Sequence, residues 1–513
     1  MKRLIVLCSV LMICSVAPGQ TTSARIKFPT LGNHADEQAT LLSIDDYSLP
    51  LKQNLCYFLS KPQVRTEPVL LPERDNPQAP DQTAAHFYGT VLHDAGKFRM
   101  WYYAVSNHRP GDLKLGPVCY AESADGIAWR KPILGQLEHR GSKQNNAISL
   151  PDSSTQGANV IKEEQEPDPQ RRYKMVYTVL GKQMFTTRTA TSPDGFTWTA
   201  GPLTHPDQFL EQASFYKHNG NYFINAHTYA WGNGGRLRGR QGYVWISPDF
   251  DRWIQEPAGA LVLPEPAKSG WEERYDQVHL GVGAASFGNI VVGLYGLWHE
   301  RGWGVGGTSC DFGLVVSHNG IHFREPVKSH VYLSSEEAAI APVAGKNYPT
   351  ILCQSSGILN VGDETRIYFG RWRNSEWPLE GDGSNYYGDI ALATLPRDRW
   401  GALGLAGGNN SGSVWSAPIT LPQEACEVTL NADAASAMRV EVADERFALL
   451  PEFSGDRSGV CTQPSGLKCP VQWPGAKFGQ LAGRTIRLRV HLTKTTPEQP
   501  RLYAIYVTCI PKS

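Results

Sequence analysis

The sequence lacks the features that mark membrane proteins and nucleic-acid-binding proteins. Its 513 residues include 49 basic and 49 acidic side chains, so the net charge is zero, and the basic residues form no stripe. We therefore expect no nucleic-acid partner. Apart from residues 4–16, no apolar run approaches the length of a membrane-spanning helix. No long helix is predicted, and the cysteines show no zinc-type spacing, so no metal or other cofactor is predicted.

The start of the chain has the composition of an export signal. Residues 1–3 include two basic side chains, residues 4–16 are apolar, and residues 17–19 include small residues. This order is typical of a signal peptide that is removed during export. We predict a signal peptide over residues 1–19 and a secreted or periplasmic mature chain without membrane insertion.

Eight cysteines lie beyond the predicted signal peptide. An even count in an exported chain permits disulfides. Cys461 and Cys469 flank a loop rich in Pro, Ser and Gly, and they are the pair that we expect to be bonded. Most of the others lie inside strand-like runs, where a buried free thiol is the commoner state.

A short turn motif recurs along the chain. Each clear copy has Ser, then Asp or Asn two residues later, usually Gly next, and an aromatic residue three positions further on. Ser and Asp bond local backbone amides, Gly supplies the positive φ of a tight turn, and the aromatic ring is buried as the next strand begins. The first four copies are 69, 55 and 70 residues apart, and a degenerate fifth begins 77 residues later. They begin at Ser123, Ser192, Ser247, Ser317 and Thr394.

Three strand-like segments precede each copy of the turn. They alternate apolar and polar residues over short runs, which indicates strands, and one segment of each set is rich in aromatic or β-branched residues. Four antiparallel strands repeated five times predict a five-bladed β-propeller, which we place at residues 62–405. The alternative is an irregular series of hairpins in a large sandwich.

The remaining segments complete an all-β prediction. Residues 20–61 form an N-terminal segment that we expect to wrap the propeller. Residues 406–420, which include a stretch rich in Gly and Asn, are predicted as a linker and connecting strand. Residues 421–513 contain alternating runs with polar turns, which predict a C-terminal β-sandwich.

One segment of the third unit resembles glycoside hydrolases. Glu211 begins the predicted innermost strand, the hairpin residues Asn219 and Gly220 follow, and an aromatic strand comes next. This segment resembles family 43, in which a Glu opens the inner strand and a Gly-x-Tyr-Tyr strand follows. Family 32 places a Glu-Cys pair comparably, and its propeller with a C-terminal sandwich is similar in plan; secreted planctomycete-type family-32-like proteins share the turn rhythm. The resemblance implies a carbohydrate substrate and a general-acid role for Glu211.

Glycoside cleavage requires a protonated carboxyl beside the leaving oxygen and an ionised carboxyl across the sugar ring. Aromatic neighbours would strip water from Glu211 and raise its pKa, which suits the protonated role. For the second carboxyl we predict Asp81, upstream of the first inner strand, or Asp276, before the fourth, with Asp75 as a further choice. Asp81 could instead be a loop residue that bonds backbone.

Other residues at the same end of the units are predicted to bind substrate. Aromatic rings stack on sugar faces and arginines bind acidic groups. The arginines therefore allow an anionic sugar as the substrate. The two histidines could bind a metal together with Glu211, although contacts with sugar hydroxyls are commoner. The predicted substrate-binding residues are His86, His279, Arg274, Trp231, Trp298, Arg371 and Trp372.

The predicted function is that of an exo-acting glycoside hydrolase. A non-catalytic propeller that binds carbohydrate or protein is the alternative, since propellers have many functions. A sialidase-like enzyme is disfavoured, because sialidase repeats read Ser-x-Asp-x-Gly-x-x-Trp, one residue longer than those present. The oligomeric state is not predicted.

Overall fold

The computed structural model describes most of the chain beyond residue 24. The described ranges are 25–106, 116–152, 154–180, 185–205, 209–231, 237–264, 277–299, 309–338, 340, 350–353, 355–373, 386–495 and 498–510. Within them the fold is all-β, and the only α-helix is one turn, α1 (Ser335–Ala338). None of the helices in these ranges is both long and apolar enough to cross a membrane.

Six strands precede the repeated units. They are β1 (Ile26–Phe28), β2 (Asn33–Ala35), β3 (Gln38–Leu42), β4 (Leu51–Gln53), β5 (Leu55–Leu59) and β6 (Gln63–Val64).

The strands that follow form two four-stranded sheets and one twelve-stranded sheet, and we number them as five units after the five copies of the turn motif. Unit 1 contains β7 (Ala84–Asp94), β8 (Lys97–Val105), β9 (Val118–Ser123) and β10 (Trp129–Arg130); unit 2 contains β11 (Thr155–Lys162), β12 (Tyr173–Leu180), β13 (Phe185–Ser192) and β14 (Thr199–Leu203). Unit 3 contains β15 (Glu211–His218), β16 (Asn221–Trp231), β17 (Leu237–Ser247) and β18 (Ile254–Gln255). Unit 4 contains β19 (Gln277–Phe287), β20 (Ile290–His299) and β21 (Ser309–Ser317); unit 5 contains β22 (Thr350–Leu352), β23 (Ile358–Val361), β24 (Glu364–Arg373) and β25 (Tyr387–Pro396).

The turn motif folds as its residues predict. In unit 1 the Ser123 hydroxyl accepts the amide of Gly126, and Asp125 accepts the amides of Ile127 and Ala128. Gly126 has φ +75°, a conformation that favours glycine. The ring nitrogen of Trp129 donates back to the Gly126 carbonyl at 3.0 Å, which fixes the start of the outermost strand. Unit 2 repeats every one of these bonds.

Unit 3 has a different residue at the left-handed position of this turn. Phe250, with φ +71°, takes the place of glycine. Its ring is buried against Phe215, Tyr222 and Trp253. Ring burial offsets the backbone strain, since a buried aromatic side chain is stabilised by more than the left-handed conformation costs.

Each of three turns packs on a neighbouring unit. An aromatic side chain of one unit donates to the carbonyl of the left-handed glycine in another unit's turn. The bonds run from Trp101 Nε1 to Gly195 (3.1 Å), from the Tyr216 hydroxyl to Gly320 (2.7 Å) and from the Tyr368 hydroxyl to Gly126 (2.8 Å). They join units 1 and 2, units 3 and 4, and units 5 and 1.

Further contacts between units involve the first strands, except between units 4 and 5, where the third strand β21 of unit 4 pairs with β22. Side-chain or backbone contacts link each unit with the next, and the last with the first. The contacts are Val160 N to Thr90 Oγ1 (2.8 Å), Gln212 Nε2 to the Gly157 carbonyl (3.1 Å), Ser214 Oγ to the Val282 carbonyl (2.6 Å), the bridge between Cys310 and Thr350, and Ser356 N to the Gly89 carbonyl (2.9 Å).

The N-terminal chain completes unit 5. Strand β6 pairs with β25 on the side away from β24, with Val64 opposite Ala393. Further along, the Arg65 amide donates to the Leu392 carbonyl at 2.9 Å. Unit 5 is therefore built from both ends of the repeated region.

The C-terminal strands form two further sets of paired strands. They are β26 (Gly401–Leu405), β27 (Ser411–Trp415), β28 (Ile419–Thr420), β29 (Cys426–Asp433), β30 (Met438–Asp444), β31 (Gly459–Cys461), β32 (Gly466–Gln472), β33 (Thr485–Thr493) and β34 (Arg501–Cys509). Strands β1 and β4 pair with β28 and β27, and β3 and β5 pair with β34 and β26. One apolar core draws buried side chains from both sets.

Strands follow the short alternating runs of both regions, as predicted. The expected disulfide is wrong: Cys461 and Cys469 are free thiols, and Cys461 pairs with Val471 across β31 and β32 rather than with Cys469. The domain boundaries remain predictions.

Candidate active site

Chemically active side chains of all five units meet where the innermost strands begin. Glu211 is the first residue of β15, Gln156 the second of β11, and His86 and His279 the third of β7 and β19. We call these side chains and the ones bonded or packed around them the central cluster. Its members are His86, Tyr88, Tyr103, Gln156, Glu211, His227, Arg240, His279, Trp298, Trp372 and Tyr386.

Glu211 lies almost completely buried in this cluster, with 8% of its surface exposed. Gln156 Nε2 donates to its Oε1 at 3.1 Å. Burial raises the pKa of the Glu211 carboxyl, and the nearby Arg240 guanidinium and the Gln156 bond lower it by less. The carboxyl is therefore shifted toward the protonated form that a general acid requires.

Tyr88 connects Glu211 to the aromatic side of the cluster. Its buried hydroxyl has a pKa raised well above the usual value, first by burial and then by the Glu211 charge. Its ring lies 6.1 Å from the Trp372 ring at an interplanar angle of 30° and meets Tyr103 edge-on. Tyr88 also shares an apolar cluster with Trp298 and Tyr386, which are contributed by units 4 and 5.

His86 is fully buried and held through both ring nitrogens. Its Nε2 lies 2.7 Å from the Tyr386 hydroxyl, and Trp372 Nε1 donates to its Nδ1. Because Nδ1 accepts this bond, the neutral ring carries its proton on Nε2. His86 thus orders two aromatic side chains of unit 5 around the site.

Two other histidines are held neutral near Glu211. His227 stands directly opposite Glu211 on β16, and His279 stacks on Trp298 with centroids 4.0 Å apart. Burial lowers the pKa of both imidazoles well below the usual value, and the Arg240 charge lowers each further. Neutral imidazoles can donate to or accept from sugar hydroxyls.

Asp81 has different surroundings from Glu211. Its carboxylate lies 2.5 Å from Lys131 Nζ and accepts the Tyr102 hydroxyl at 2.8 Å, and only 1% of its surface is exposed. Burial raises the pKa of this carboxyl, and Lys131 opposes that shift. Among the contacts of the described residues, none joins Asp81 to Glu211.

Arg371 is bonded within its own unit. Its guanidinium binds both carboxylate oxygens of Asp389, at 2.6 and 2.8 Å. Trp298 and Trp372 belong to the central cluster, as described. Asp75 lies in an exposed loop before β7.

Three predicted site residues fall wholly or partly outside the described structure. Asp276 and Arg274 lie outside the described residues, and so does the side chain of Trp231. Within the described part of the chain, no three His, Cys, Asp or Glu side chains are grouped to hold a metal ion. The Glu211–His86–His279 metal alternative is accordingly not supported, because Tyr386 and Trp372 occupy both His86 nitrogens.

Sequence reasoning missed six members of the cluster. Gln156 and Tyr88 are near the starts of inner strands, so inspection of every inner-strand start could have found them. Tyr103, His227, Arg240 and Tyr386 lie on or beside second and third strands, and only the pairing of distant segments brings them to His86 and Glu211. No local motif marks these four residues.

Comparisons with known proteins give weak structural similarities. No family model and no curated protein matches the chain. A glycosyl hydrolase from Bacteroides ovatus matches with a TM-score of 0.45 and 14% identity, over 67% of this chain and 95% of its own. A structure from the GH130 family of mannoside phosphorylases, which contains glycoside hydrolases that target beta-1,2 mannosidic linkages in Candida mannan, matches with a TM-score of 0.43 and 15% identity, over 67% and 95%. A thermostable family-43 glycoside hydrolase matches at 0.36 and 13%, over 60% and 88%. All three TM-scores are below 0.5, so the side chains of the central cluster carry the functional inference.

Proposed function

We propose that this chain is a secreted glycoside hydrolase that removes a terminal sugar from an oligo- or polysaccharide, with Glu211 as general acid. Secretion rests on the signal-like composition of residues 1–19. The mature N-terminus of exported protein is then expected close to residue 20, which N-terminal sequencing would test.

The proposed architecture is a five-bladed propeller joined to a C-terminal β-sandwich. The bonds that link each unit to the next and unit 5 to unit 1 support a closed ring. The completion of unit 5 by β6 supports it further, because a ring closed by strands from both ends of the repeat leaves no free edge. In such a ring the starts of the inner strands surround one central site.

The observation that carries the catalytic proposal is the burial of Glu211 among side chains from several units. A carboxyl that keeps its proton near neutrality can protonate the leaving oxygen of a glycoside. The aromatic rings and neutral histidines beside it offer stacking and hydroxyl contacts for a sugar.

The opposing carboxylate is Asp81 or Asp276, and Asp276 lies outside the described residues. Asp81 has a buried cation and a tyrosine as partners. In this scheme Glu211 donates its proton to the departing oxygen, and the second carboxylate acts on the opposite face of the sugar as base or nucleophile.

A second candidate is sugar binding without catalysis. One observation favours it: within the described residues, no second carboxylate contacts Glu211. A binding protein would hold a glycan in the same cluster and release it unchanged.

A glycan screen with matched variants separates the two candidates. Purified protein is incubated with plant, algal and host oligosaccharides, and released monosaccharide is measured. We expect release by the wild type, at least a 100-fold loss in Glu211→Gln, and no loss in Glu427→Gln, which changes an exposed glutamate on β29. Binding of a glycan with no release by the wild type would select the second candidate, and full activity of Glu211→Gln would end the assignment of Glu211.

A further inference from the structure

Arg240 shares a face of unit 3 with the proposed general acid. Glu211 stands opposite His227, and His227 stands opposite Gly242, so these three residues form one row across the sheet. Side chains two apart on a strand point to the same face, and Arg240 is two residues from Gly242. It lies toward the end of the sheet at which β15 begins, one step beyond Glu211.

Unit 4 borders the same face. The Arg240 amide donates to Gln277 Oε1 at 3.0 Å, and Gln277 is the first residue of β19. Ser214, on the Glu211 face of β15, bonds the Val282 carbonyl of β19. Arg240 therefore projects from the Glu211 face of unit 3, on the side that borders unit 4, and its charge acts on the Glu211 carboxyl.

The Arg240 guanidinium forms no ion pair within 4 Å in the described part of the chain. Other arginines at this end of the units do: Arg371 binds Asp389, and Arg188 lies 3.0 Å from Asp152. Glu211 is a described carboxyl on which the Arg240 charge acts, but burial raises the pKa of Glu211, which makes it a weak counterion. The Arg240 side chain is partly buried, and an anion on a bound ligand would stabilise it.

We propose that Arg240 binds an oxyanion of the substrate, so that the sugar taken by this site carries a carboxylate or a sulfate group. The inference rests on the proposed function and names its substrate class. A guanidinium presents paired N–H donors that match both oxyanions, and such charge-assisted bonds are stronger than bonds to neutral hydroxyls. Burial lowers the pKa of His227 and His279, which leaves Arg240 as the fixed positive charge among the described members of the central cluster.

Binding measurements on matched acidic and neutral glycans test this inference. The Glu211→Gln protein serves as the background, because it is expected to bind without turnover. The probes are oligogalacturonides with their carboxyl-reduced forms, and sulfated galactan oligosaccharides with their desulfated forms, measured by titration calorimetry. We expect one acidic member to bind 10- to 100-fold more tightly than its neutral match, and which pair shows the difference tells carboxylate from sulfate.

Substitutions at Arg240 then locate the effect. In the same background, Arg240→Gln should abolish the preference while leaving the affinity for the neutral probe within about twofold. Arg240→Lys should keep part of the preference for the acidic probe, because the charge remains while the paired donors are lost. Arg252→Gln is the control, because Arg252 belongs to unit 3 but is exposed and paired with Asp249. Thermal unfolding of each variant shows whether it is folded.

The outcomes separate this inference from the hydrolase proposal. Equal affinity for both members of each pair, no binding of any acidic probe, or a preference that survives Arg240→Gln would overturn the oxyanion assignment. If the preference for acidic glycans depends on Arg240 but the wild type cleaves none of the glycans, the oxyanion assignment stands and the hydrolase proposal is overturned. If the wild type cleaves neutral glycans only, the hydrolase proposal stands and the oxyanion assignment is overturned.

Discussion

Gln156 of unit 2 donates a hydrogen bond of 3.1 Å to Glu211 of unit 3. The amide and the carboxyl come from strands that are separated by 55 residues of chain, and both stand at the start of their strands. The bond fixes one carboxyl oxygen, while Arg240 and Tyr88 lie close enough to interact electrostatically with the carboxyl. The site is therefore assembled between units, and its properties depend on how the units pack.

Replacement of Glu211 by Gln should stabilise the protein at neutral pH. The folded-state pKa of this carboxyl is raised above its unfolded value, so the folded protein favours the protonated form. Its contribution to stability is fully present below the ordinary pKa of Glu and is lost as the pH rises through the folded pKa. Gln does not ionise, so we expect a gain on the order of 1 kcal/mol at pH 7 that shrinks toward zero near pH 4.

Urea unfolding of both proteins between pH 4 and pH 8 measures this difference. Glu427→Gln is the control, because that exposed side chain should give the same curve as the wild type. A Glu211→Gln protein that is less stable at pH 7 than at pH 4, relative to the wild type, would show that the carboxyl is ionised and satisfied in the fold.

The pair of Asp81 and Lys131 should behave as a buried ion pair. Asp81→Ala leaves a lysine that is only 11% exposed with Glu73, 3.6 Å away, as its remaining carboxylate partner, and we expect a loss of about 3 kcal/mol of folding free energy. The double variant Asp81→Leu with Lys131→Met should recover most of the loss, because neither charge remains. Chemical unfolding of the single and double variants measures the coupling.

A surface pair provides the reference for this experiment. Arg252 and Asp249 form an exposed ion pair, and Arg252→Ala should leave the stability close to that of the wild type. If Asp81→Asn removed sugar release without loss of stability, Asp81 rather than Asp276 would be the second catalytic carboxyl.

The turn of unit 2 should be sensitive at its left-handed glycine. Gly195 has φ +82°, and a Cβ there would lie 3.0 Å from the Trp101 ring of unit 1. Gly195→Ala should cost about 1 kcal/mol from backbone strain and more from the displaced ring. Gly135→Ala is the matched control, since Gly135 has φ +67° and a Cβ added there would meet nothing within 4 Å. Equal losses at both sites would show that the turn does not pack tightly on unit 1.

Closure of unit 5 by β6 predicts a position-specific effect of proline. Arg65→Pro removes the amide that donates to the Leu392 carbonyl, and we expect a loss of about 1–3 kcal/mol. Arg65→Ala keeps that amide at an exposed position and should be close to neutral. Stability of Arg65→Pro equal to that of Arg65→Ala would mean that β6 does not hold the unit together.

The repeat could be predicted from sequence because its signals are local. The bonds of Ser123, Asp125 and Gly126 all lie within a few residues, and a two-residue alternation marks each strand. Glu211 could be singled out for the same reason, since it begins a strand.

The rest of the site depends on contacts between distant segments. Arg240 and His227 reach Glu211 through strand register, and Tyr386 reaches His86 across 300 residues of chain. Asp81 is a catalytic candidate because it precedes the first inner strand, and the sequence does not show that its carboxylate bonds Lys131, which lies beyond the outermost strand of the same unit. Propensity and spacing cannot report such pairings, because they depend on how sheets pack.

The loss of kcat/KM caused by Glu211→Gln, compared between substrates with different leaving groups, tests the central claim most directly. A general acid matters for a poor leaving group such as a sugar hydroxyl and hardly matters for a nitrophenolate, which departs without protonation. We predict that kcat/KM of Glu211→Gln falls at least 100-fold on the natural glycan and less than about tenfold on the matching nitrophenyl glycoside. Equal losses on both substrates, or no loss on either, would contradict a general-acid role for Glu211.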